Sequence, residues 1–394
     1  MLNKSNPSLA INGGKPIADK PIVIHKPYLD DDDRKAILEA FDSTFISGDG
    51  PHCREFEKLL AEYLGVKHAL FVNSATTALD LAFRVKNFPS GSEVIVPDFT
   101  YTSSALGPLY NNLKVRLCDV YPDNGSINVS KIEELVNENT VAIVPVDYAG
   151  IPAEMDEIKR IAKKHNLYVV HDTAQSLGSE YKGKKTGSMA DVSTFSFHGT
   201  KNVTTGEGGA ITTNDDEIAA RVKIMREKGT NKHSFLTDNV TRGYYEYIDI
   251  GNSYVQSNLL GALGISQIKK IDEINKKRNE IANYYLKELK GIDGLDFIRI
   301  TNGAITNWHI FGIIVSPEDK YWIMDALRAE GVMVNVHYTP LHRNSFYKKY
   351  GTDEDCPGAM KFFQRLIRLP IYPSLVVEEF ENIVNSVRKI MRKK

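Results

Sequence analysis

The sequence predicts an α/β protein with a largely parallel sheet, followed by a smaller α+β domain. Short apolar runs alternate with amphipathic segments through the first two-thirds of the chain, and this pattern changes after residue 257. The runs are apolar throughout, so the strands need helices on both of their faces, as in parallel sheets. A chain of 394 residues is long enough for two or three domains.

Strands and helices are predicted in alternation up to about residue 227. The predicted strands are Ala69–Val72, Glu93–Val96, Val115–Asp119, Val141–Val146, Leu167–His171, Val192–Phe197 and Ala210–Thr213. The predicted helices are Arg54–Leu64, Thr76–Val85, Ile132–Val136, Met155–His165 and Glu217–Glu227.

One helical period runs from Asn258 to Leu289, with apolar residues at helical spacing and lysines between them. We interpret it as a helix that links a large domain, residues 1–257, to a small domain, residues 258–394, of which it is part. Further strands are predicted at Gly294–Ile300, His309–Val315 and Val332–Val336. Further helices are predicted at Tyr321–Glu330, Gly358–Ile367 and Val377–Met391.

Composition and charge argue against several classes of protein. Lys+Arg 49 against Asp+Glu 50 leaves a formal net charge of -1, which favours neither nucleic acid nor a membrane surface as partner. No apolar stretch approaches the roughly 20 residues that span a bilayer, and residues 1–15 lack the apolar segment of a signal peptide. The three cysteines are too scattered for a disulfide framework or a zinc site. We expect a cytoplasmic protein without a metal site.

Two complementary side chains follow neighbouring predicted strands. Asp172 closes the run Leu167–His171, and Lys201 follows the run Val192–Phe197. A lone lysine at such a junction is usually a solvated charge. A lysine paired with a carboxylate is what pyridoxal phosphate chemistry needs, because the amine forms a Schiff base with the cofactor aldehyde and the carboxylate keeps the pyridine nitrogen protonated.

Two further segments suit the same cofactor. Residues 73–79, Asn-Ser-Ala-Thr-Thr-Ala-Leu, follow a strand and open a helix, where backbone N–H groups and the helix dipole favour an anion. Ser74 and Thr76 alone would be equally good helix caps, but beside Lys201 a phosphate site is the better interpretation. Tyr101 follows another strand, where its ring can stack on a flat cofactor or belong to the core.

The combined motifs resemble the nucleotide-sugar aminotransferases of the DegT family. Residues 195–202 read Phe-Ser-Phe-His-Gly-Thr-Lys-Asn, residues 206–209 read Gly-Glu-Gly-Gly, and residues 172–175 read Asp-Thr-Ala-Gln. The resemblance extends over almost the whole chain, from Ser47 and Gly48 to residues 337–342. It implies the fold-type-I (aspartate aminotransferase-like) fold, pyridoxal 5'-phosphate with pyridoxamine 5'-phosphate as its second form, and a homodimer with active sites at the subunit interface.

The resemblance also implies a role for individual residues. Lys201 would form the Schiff base, Asp172 would pair with the pyridine nitrogen, and Gln175 would lie near the ring hydroxyl. The phosphate would be bound by Ser196 with Ser74, Ala75 and Thr76, Tyr101 would cover the ring, and Ser253 would complete the partner subunit's phosphate site. Ala75 and Ser253 depart from many relatives, which have glycine and asparagine there.

The sequence is less specific about which residues bind the sugar. The resemblance places Ser47 and Gly48 near the hexose, and His309, His337, Tyr338 and His342 at the mouth of the site, although each is equally well read as a surface-loop residue. His198 is included with them, but a histidine that positions the lysine loop is favoured over a base or a metal ligand. Arg226, Lys228 or Arg343 could contact a diphosphate.

Within the family, residues 226–231, 249–254 and 337–342 are most similar to the branch that converts dTDP-4-dehydro-6-deoxyglucose and L-glutamate into dTDP-4-amino-4,6-dideoxygalactose. Such products enter surface polysaccharides such as the lipopolysaccharide O-antigen, or deoxyaminosugars. Relatives with histidine at the position of Lys201 dehydrate the sugar, so lysine favours transamination.

Three alternatives stay open. The first is amination at C3 of a nucleotide-linked 3-keto sugar. The second is a cysteine desulfurase using Cys356, although the acidic residues beside it would raise the pKa of its thiol. The third is a cofactor-binding regulator, although no basic helix-turn-helix pattern precedes Ser47.

Overall fold

The structure, a computed structural model, describes residues 2–231 and 245–392. Its α-helices are α1 (Asp31–Asp42), α2 (Pro51–Leu64), α3 (Ala75–Arg84), α4 (Ser103–Tyr110), α5 (Val129–Leu135), α6 (Met155–His165), α7 (Asp216–Arg226), α8 (Asn258–Lys269), α9 (Ile271–Leu289), α10 (Lys320–Ala329), α11 (Pro357–Arg365) and α12 (Val377–Met391). Short 3-10 helices are Ala10–Asn12, Tyr148–Gly150 and Leu341–Arg343.

The strands form one large sheet and two small ones. They are β1 (His68–Val72), β2 (Glu93–Pro97), β3 (Lys114–Cys118), β4 (Thr140–Ile143), β5 (Tyr168–Asp172), β6 (Glu180–Tyr181), β7 (Lys184–Lys185), β8 (Val192–Ser196), β9 (Gly209–Thr213), β10 (Asp296–Phe297), β11 (Ala304–Ile305), β12 (Phe311–Ile314) and β13 (Leu366–Leu369). The large sheet has the order β1-β9-β8-β5-β4-β2-β3, and the small sheets are β10-β12-β13 and β11-β6-β7.

The predicted mixed α/β architecture is confirmed. All seven strands of the large sheet were predicted, and within it only β9 runs against its neighbours β1 and β8. Both faces of the sheet are buried: Ala69 and Phe71 of β1 pack in one apolar cluster, and Leu70 and Val72 pack in another. Burial on both faces explains why these strands read as unbroken apolar runs.

The segment from Asn258 to Leu289 is two helices, so the prediction of one continuous helix is wrong. Lys270 lies between α8 and α9 with φ -102° and ψ 0°. Its ammonium pairs with Asp30 and Asp33, each at 2.7 Å. Because these partners lie some 240 residues away in the chain, local periodicity does not reveal the break. Helix α8 packs against α1 and α2, and α9 packs against α12. The domain boundary at residue 257 stays a prediction.

The distal part contains the other corrections. The predicted helix Gly358–Ile367 ends at Arg365, because Leu366–Leu369 forms strand β13 beside β12. No strand spans 332–336; Val332 and Asn335 make only isolated bridges, to Ile22 and Arg368. Only Asp296–Phe297 of the predicted strand 294–300 is paired.

Helices α1 and α4 were not predicted. Gly107 and Pro108 make α4 a poor helix by propensity. A Cβ on Gly107 would lie 2.9 Å from the Leu79 carbonyl oxygen, so the glycine allows α4 to pack tightly on α3. Among the described helices, none is long and apolar enough to cross a membrane.

Candidate active site

Asp172 and Lys201 follow adjacent strands of the large sheet. Strand β5 pairs with β8 in parallel, and Asp172, the last residue of β5, lies opposite Thr194. The chain leaves β8 after Ser196 and reaches Lys201 through a tight turn, in which the Lys201 N–H donates to the His198 carbonyl at 2.9 Å. Parallel strands end at the same edge of a sheet, which brings the carboxylate and the amine together.

A cavity of about 480 Å³ opens at this edge. It is lined by eleven of the residues expected from the sequence, namely Ser74, Ala75, Thr76, Tyr101, Asp172, Gln175, Ser196, His198, Lys201, His337 and Tyr338. The structure therefore gathers residues from widely separated parts of the chain into one wall. The roles assigned to them stay predictions.

Lys201 lies partly buried in the wall of this cavity. The pKa of its amine is lowered from 10.5 to about 8, chiefly by burial; the charge of Asp172 opposes this shift, and the charge of Arg368 adds to it. Loss of solvation disfavours the ammonium form. A neutral amine is what a nucleophile or a general base requires.

Asp172 is buried, with 5% of its surface exposed, and two donors orient it. Its Oδ2 accepts from the Ser104 hydroxyl at 2.7 Å, and its Oδ1 accepts from the Ala174 N–H at 3.1 Å. Burial raises the pKa of Asp172, while these two hydrogen bonds and the charge of Lys201 oppose the rise. A cationic group in the cavity would stabilise the charged form of this buried carboxylate. Sequence reasoning missed Ser104 because α4 itself was not predicted.

The segment expected to bind phosphate opens helix α3. Ser74 is its N-cap and accepts from the Thr77 N–H at 3.1 Å, while the hydroxyls of Thr76 and Ser103 share a hydrogen bond of 2.6 Å. The N–H groups of the first helical turn have no acceptor within the helix. Ala75 has no positive φ, so alanine is compatible with the loop where many relatives have glycine.

A glycine lets the sheet approach this helix start. A Cβ on Gly209, the first residue of β9, would lie 2.3 Å from the Ser74 carbonyl carbon and 2.5 Å from the Ala75 nitrogen. Ser196, at the end of β8, faces the same cavity. Backbone donors, hydroxyls and a helix N-terminus therefore meet at one end of the cavity, which is the chemistry of an anion site.

Aromatic rings form another part of the wall. Tyr101 is 55% exposed, and its ring centroid lies 5.6 Å from that of Tyr338. The Gln175 side chain holds Tyr338, donating to its hydroxyl at 3.0 Å, and accepts from the Ala149 N–H at 2.8 Å. An exposed ring at a cavity wall can cover a flat heteroaromatic ligand.

Contacts from remote segments hold the lysine turn. The His25 Nε2–H donates to the Gly199 carbonyl at 2.8 Å, and Gly199 N–H donates to the Gly206 carbonyl at 2.8 Å. His198 is exposed at the cavity, and its Nδ1 accepts from the Thr200 N–H at 3.2 Å. His198 thus has a contact that stabilises the turn, as expected of a histidine that positions the lysine loop. The sequence carries no local signal for the contribution of His25.

Five expected site residues do not line the large cavity. Ser47 and Gly48 lie in a loop joined to α8, where the Asn258 N–H donates to the Ser47 carbonyl at 3.0 Å. Ser253 is exposed on the surface. The His309 Nδ1–H donates to Asn202 Oδ1 at 3.1 Å, and His309 lines a separate cavity of about 10 Å³ that Lys201 also borders.

His342, the fifth, is 4% exposed and lies between two carboxylates. Its Nδ1 lies 2.7 Å from Asp98 Oδ2, and its Nε2 lies 2.8 Å from Asp353 Oδ1. Cys356 completes a buried group with Asp98 and His342, whose possible metal-ligand atoms all lie within 4.8 Å of one another. Both ring nitrogens of His342 are already engaged, so this geometry gives no support to direct sugar binding by His342.

The thiols do not support the desulfurase alternative. Cys53, Cys118 and Cys356 are all buried, and none lines the cavity with Lys201. Burial, followed by the charges of Asp98 and Asp119, raises the pKa of the Cys356 thiol. A desulfurase needs an accessible thiolate near the cofactor.

The cavity fits pyridoxal phosphate by the chemistry of its donors. It contains an amine of lowered pKa, a buried carboxylate that a cation would stabilise, an anion site at a helix N-terminus, and an exposed aromatic ring. These groups would hold, in that order, the aldehyde carbon, the pyridine nitrogen, the phosphate and the ring face.

Comparisons with known proteins agree with this fit. The model of the DegT/DnrJ/EryC1/StrS aminotransferase family matches residues 27–388. GDP-perosamine synthase of Caulobacter vibrioides is 34% identical over 387 residues, covering 95% of this chain and 100% of that protein. UDP-4-amino-4,6-dideoxy-N-acetyl-beta-L-altrosamine transaminase of Campylobacter jejuni is 34% identical over 371 residues, covering 93% of this chain and 96% of that protein.

A solved structure is similar over the same length. Helicobacter pylori PseC, an aminotransferase involved in the biosynthesis of pseudoaminic acid, superposes with a TM-score of 0.89 at 33% identity, covering 94% of this chain and 99% of that one. Similar structures also include one sugar aminotransferase in a PLP form and in a PMP form. Together with the cavity at Lys201, these matches show that the chain belongs to the DegT/DnrJ/EryC1/StrS aminotransferase family and is a pyridoxal phosphate-dependent aminotransferase of nucleotide sugars.

Proposed function

We propose that the protein transfers the amino group of L-glutamate to the C4 carbonyl of a nucleotide-linked 4-dehydro-6-deoxyhexose. The favoured substrate is dTDP-4-dehydro-6-deoxyglucose and the favoured product is dTDP-4-amino-4,6-dideoxygalactose, for surface polysaccharide or deoxyaminosugar biosynthesis. The observation that carries the proposal is the Lys201 amine of lowered pKa beside the Asp172 carboxylate, at adjacent strand ends in one cavity.

The residues divide the work between proton transfer and charge stabilisation. The cofactor supplies the aldehyde that carries the amino group and a ring that accepts electrons. The Lys201 amine removes the proton from Cα of glutamate in the first half-reaction and delivers a proton to C4 of the hexose in the second. The Asp172 carboxylate, oriented by Ser104, stabilises positive charge on the pyridine nitrogen.

The choice of C4 as the aminated carbon and the choice of dTDP as the nucleotide rest on different observations. The Campylobacter jejuni relative is named for a 4-amino-4,6-dideoxy sugar, which favours C4 over C3. The two relatives are named for a UDP-linked and a GDP-linked sugar, so neither name supports dTDP as the nucleotide. The preference for dTDP rests on the resemblance of residues 226–231, 249–254 and 337–342 to one branch of the family.

A homodimer is part of the proposal. Ser253 is exposed and does not line the cavity of its own subunit, as expected of a residue that serves the partner subunit. Large apolar side chains precede it and are exposed, among them Tyr247 at 69% and Ile250 at 68%. Exposed apolar groups of this size favour burial against another subunit.

The test combines one variant with a substrate panel. Lys201→Ala should lower turnover by about 10²–10⁴-fold or more, because it removes both the amine for the cofactor and the base. Lys184→Ala, at an exposed lysine of β7, is the matched control and should react as wild type. Borohydride reduction of the cofactor-loaded protein should label Lys201, and the absence of that label would refute its assignment.

The same preparation identifies the substrate. Glutamate is offered with dTDP-, UDP- and GDP-linked 4-keto- and 3-keto-6-deoxyhexoses, and the configuration of each product is determined by NMR. An axial amine at C4 of the dTDP sugar is the expected result. An amine at C3 would favour the alternative 3-aminotransferase, and a faster reaction with a UDP or GDP sugar would overturn the choice of nucleotide.

A further inference from the structure

The start of helix α4 is hydrogen-bonded to two separate parts of the cavity that contains Lys201. The hydroxyl of Ser103, the first residue of α4, shares a hydrogen bond of 2.6 Å with the Thr76 hydroxyl, in the segment that would bind phosphate. The next residue, Ser104, donates to Asp172 Oδ2 at 2.7 Å. Because the Cα atoms of consecutive residues lie about 3.8 Å apart, a single peptide unit joins the group for the pyridine nitrogen to the group for the phosphate.

A second hydroxyl reaches Asp172 through Ser104. The hydroxyl oxygens of Thr100 and Ser104 lie 2.8 Å apart, and both residues are buried. A serine hydroxyl has one proton to donate. Since Ser104 donates that proton to the Asp172 carboxylate, its oxygen accepts from Thr100. Thr100 lines the cavity, so a chain of two hydroxyls runs from the cavity wall to the carboxylate.

This hydroxyl chain favours the ionised form of Asp172. Burial raises the pKa of the carboxyl group, and the hydrogen bond from Ser104 opposes that rise. Hydrogen bonds in a chain polarise one another, so donation by Thr100 strengthens the bond from Ser104 to the carboxylate. An ionised carboxylate leaves the proton on the pyridine nitrogen, whereas a protonated one would leave that nitrogen neutral and the ring a weaker electron acceptor.

The contact between Ser103 and Thr76 orients a proton at the phosphate end. Two hydroxyls carry two protons, and the hydrogen bond between them uses one. Both residues line the cavity, so the second proton can be donated to an anion there. Thr76 also lies in the first turn of α3, whose N–H groups have no acceptor within the helix. Ser103 therefore holds a side chain that would bind the same anion as these N–H groups.

Helix α4 is held against α3 at more than one point. A Cβ on Gly107 would lie 2.9 Å from the Leu79 carbonyl oxygen, so the two helices are in close backbone contact. Just beyond the end of α4, the Asn111 side chain donates to the Asp80 carbonyl at 3.1 Å. Together with the hydrogen bond at the start of α4, these contacts hold the phosphate segment in a set position relative to Asp172.

We propose that Thr100 and Ser103 are positioning residues that act on different parts of the cofactor. Thr100 acts through Ser104 and Asp172 on the protonation of the pyridine nitrogen, and Ser103 acts through Thr76 on the binding of the phosphate. The proposal rests on the proposed function for the roles of Asp172 and the phosphate segment, and it does not depend on the identity of the sugar.

The first measurement tests Thr100. Protein loaded with pyridoxal phosphate that carries ¹⁵N in its ring is studied by NMR, because the ¹⁵N shift reports the protonation of the ring nitrogen. Thr100→Val, which loses the hydroxyl, should move this shift toward that of the unprotonated ring. Ser104→Ala, which removes the direct donor to the carboxylate, should move it further in the same direction. An unchanged shift in both variants would overturn the role of Thr100.

The second measurement tests Ser103. Apoprotein is titrated with pyridoxamine and with pyridoxamine phosphate, which differ only in the phosphate. Ser103→Ala should raise the Kd of the phosphate form by about 3- to 10-fold, the usual effect of losing a neutral hydrogen bond, and should leave the Kd of pyridoxamine unchanged. Its ¹⁵N shift should stay at the wild-type value. Equal losses of affinity for both ligands, or no loss for either, would overturn the role of Ser103.

Two further variants separate these effects from a general defect of the segment. Thr102→Val is the matched control, because the Thr102 hydroxyl is bonded to that of Tyr347 and Thr102 does not line the cavity. It should keep the wild-type ¹⁵N shift and both dissociation constants. Thr100→Ser retains the hydroxyl and should recover the wild-type shift. A shift that Thr100→Ser fails to recover would assign the effect of Thr100→Val to packing and overturn the proposed chain.

Failure of the proposed function gives a different result. No substrate is added in either measurement, so an error in the amino donor or in the sugar leaves both outcomes unchanged. If Lys201 does not hold the cofactor, borohydride leaves no label on it, while the two titrations still report on Ser103. Equal affinity of wild type for pyridoxamine and pyridoxamine phosphate would show that the segment does not bind phosphate, and it would overturn the role of Ser103 as well.

Discussion

The reactivity of Lys201 comes from its surroundings, because the side chain itself is an ordinary lysine. Burial removes the water that would stabilise the ammonium, and the Arg368 charge acts in the same direction. Asp172 favours the ammonium, but its effect is smaller than that of burial. The balance leaves an amine that titrates near neutral pH beside a carboxylate, and such perturbed pairs are typical of catalytic sites.

The pH dependence of cofactor capture follows from this pKa. Only the neutral amine attacks the cofactor aldehyde, so with a pKa lowered from 10.5 to about 8 the capture rate should rise with pH and level off above about pH 8. Stopped-flow absorbance of apoprotein mixed with pyridoxal phosphate measures this rate. Arg368→Gln should move the midpoint upward, because it removes a positive charge. A rate in wild type that still rises toward pH 10 would contradict the lowered pKa.

At the scale of elements, the loop after β2 is joined to the 3-10 helix Leu341–Arg343. The Leu341 N–H donates to the Asp98 carbonyl at 2.8 Å, and the His342 N–H donates to Asp98 Oδ1 at 3.0 Å. The side chain of His342 adds a third contact to Asp98. Along the chain, this junction is close to Tyr101 in one segment and to Tyr338 in the other, so it joins the two segments that carry these rings.

The two carboxylates around His342 provide a matched pair of variants. Asp98→Ala should lower the free energy of unfolding by about 3–5 kcal/mol, because it removes one partner of a buried pair. Asp353→Ala should have a much smaller effect, because Asp353 is 45% exposed and its pairing is screened by solvent. Urea denaturation followed by tryptophan fluorescence and circular dichroism compares them. Equal effects of the two variants would show that the buried contact does not hold the junction.

At the scale of the whole molecule, the active site lies where distant parts of the chain meet. The large sheet contributes Asp172, Ser196 and Lys201, and the distal part contributes His337 and Tyr338. The partner subunit is the remaining contributor in the proposed dimer, through residues 251–254. Within one chain the Asn73 N–H donates to the Tyr254 carbonyl at 3.0 Å, so the same segment also adjoins the helix start of its own subunit.

Subunit complementation tests the shared site. Lys201→Ala alone and Ser253→Trp alone should each be impaired, the second because a large side chain would block the partner's phosphate site. Mixed and refolded together, they should recover part of the wild-type activity, since every hybrid dimer carries one intact site. Light scattering checks that the mixture is dimeric. An active monomer, or a dimeric mixture without any recovery, would contradict the shared site.

The sequence by itself determined the seven strands of the large sheet and the placement of Asp172 and Lys201 at neighbouring strand ends. Strands buried on both faces read as continuous apolar runs, and both side chains lie just after such runs, so local pattern was sufficient. The resemblance carried by residues 172–209 added the cofactor and the family. Nine of the eleven expected residues that line the cavity lie at or just after strands that end at one edge of the sheet, whereas His337 and Tyr338 come from the distal part.

Only the tertiary structure decided the order of the strands, the break at Lys270, the strand β13 and the surroundings of His342. Each depends on contacts between residues far apart in the chain, such as Lys270 with Asp30 or His342 with Asp98. Periodicity records which face of an element is apolar, but it does not record which element covers that face. For that reason the role of His342 became apparent only when the structure placed it between Asp98 and Asp353.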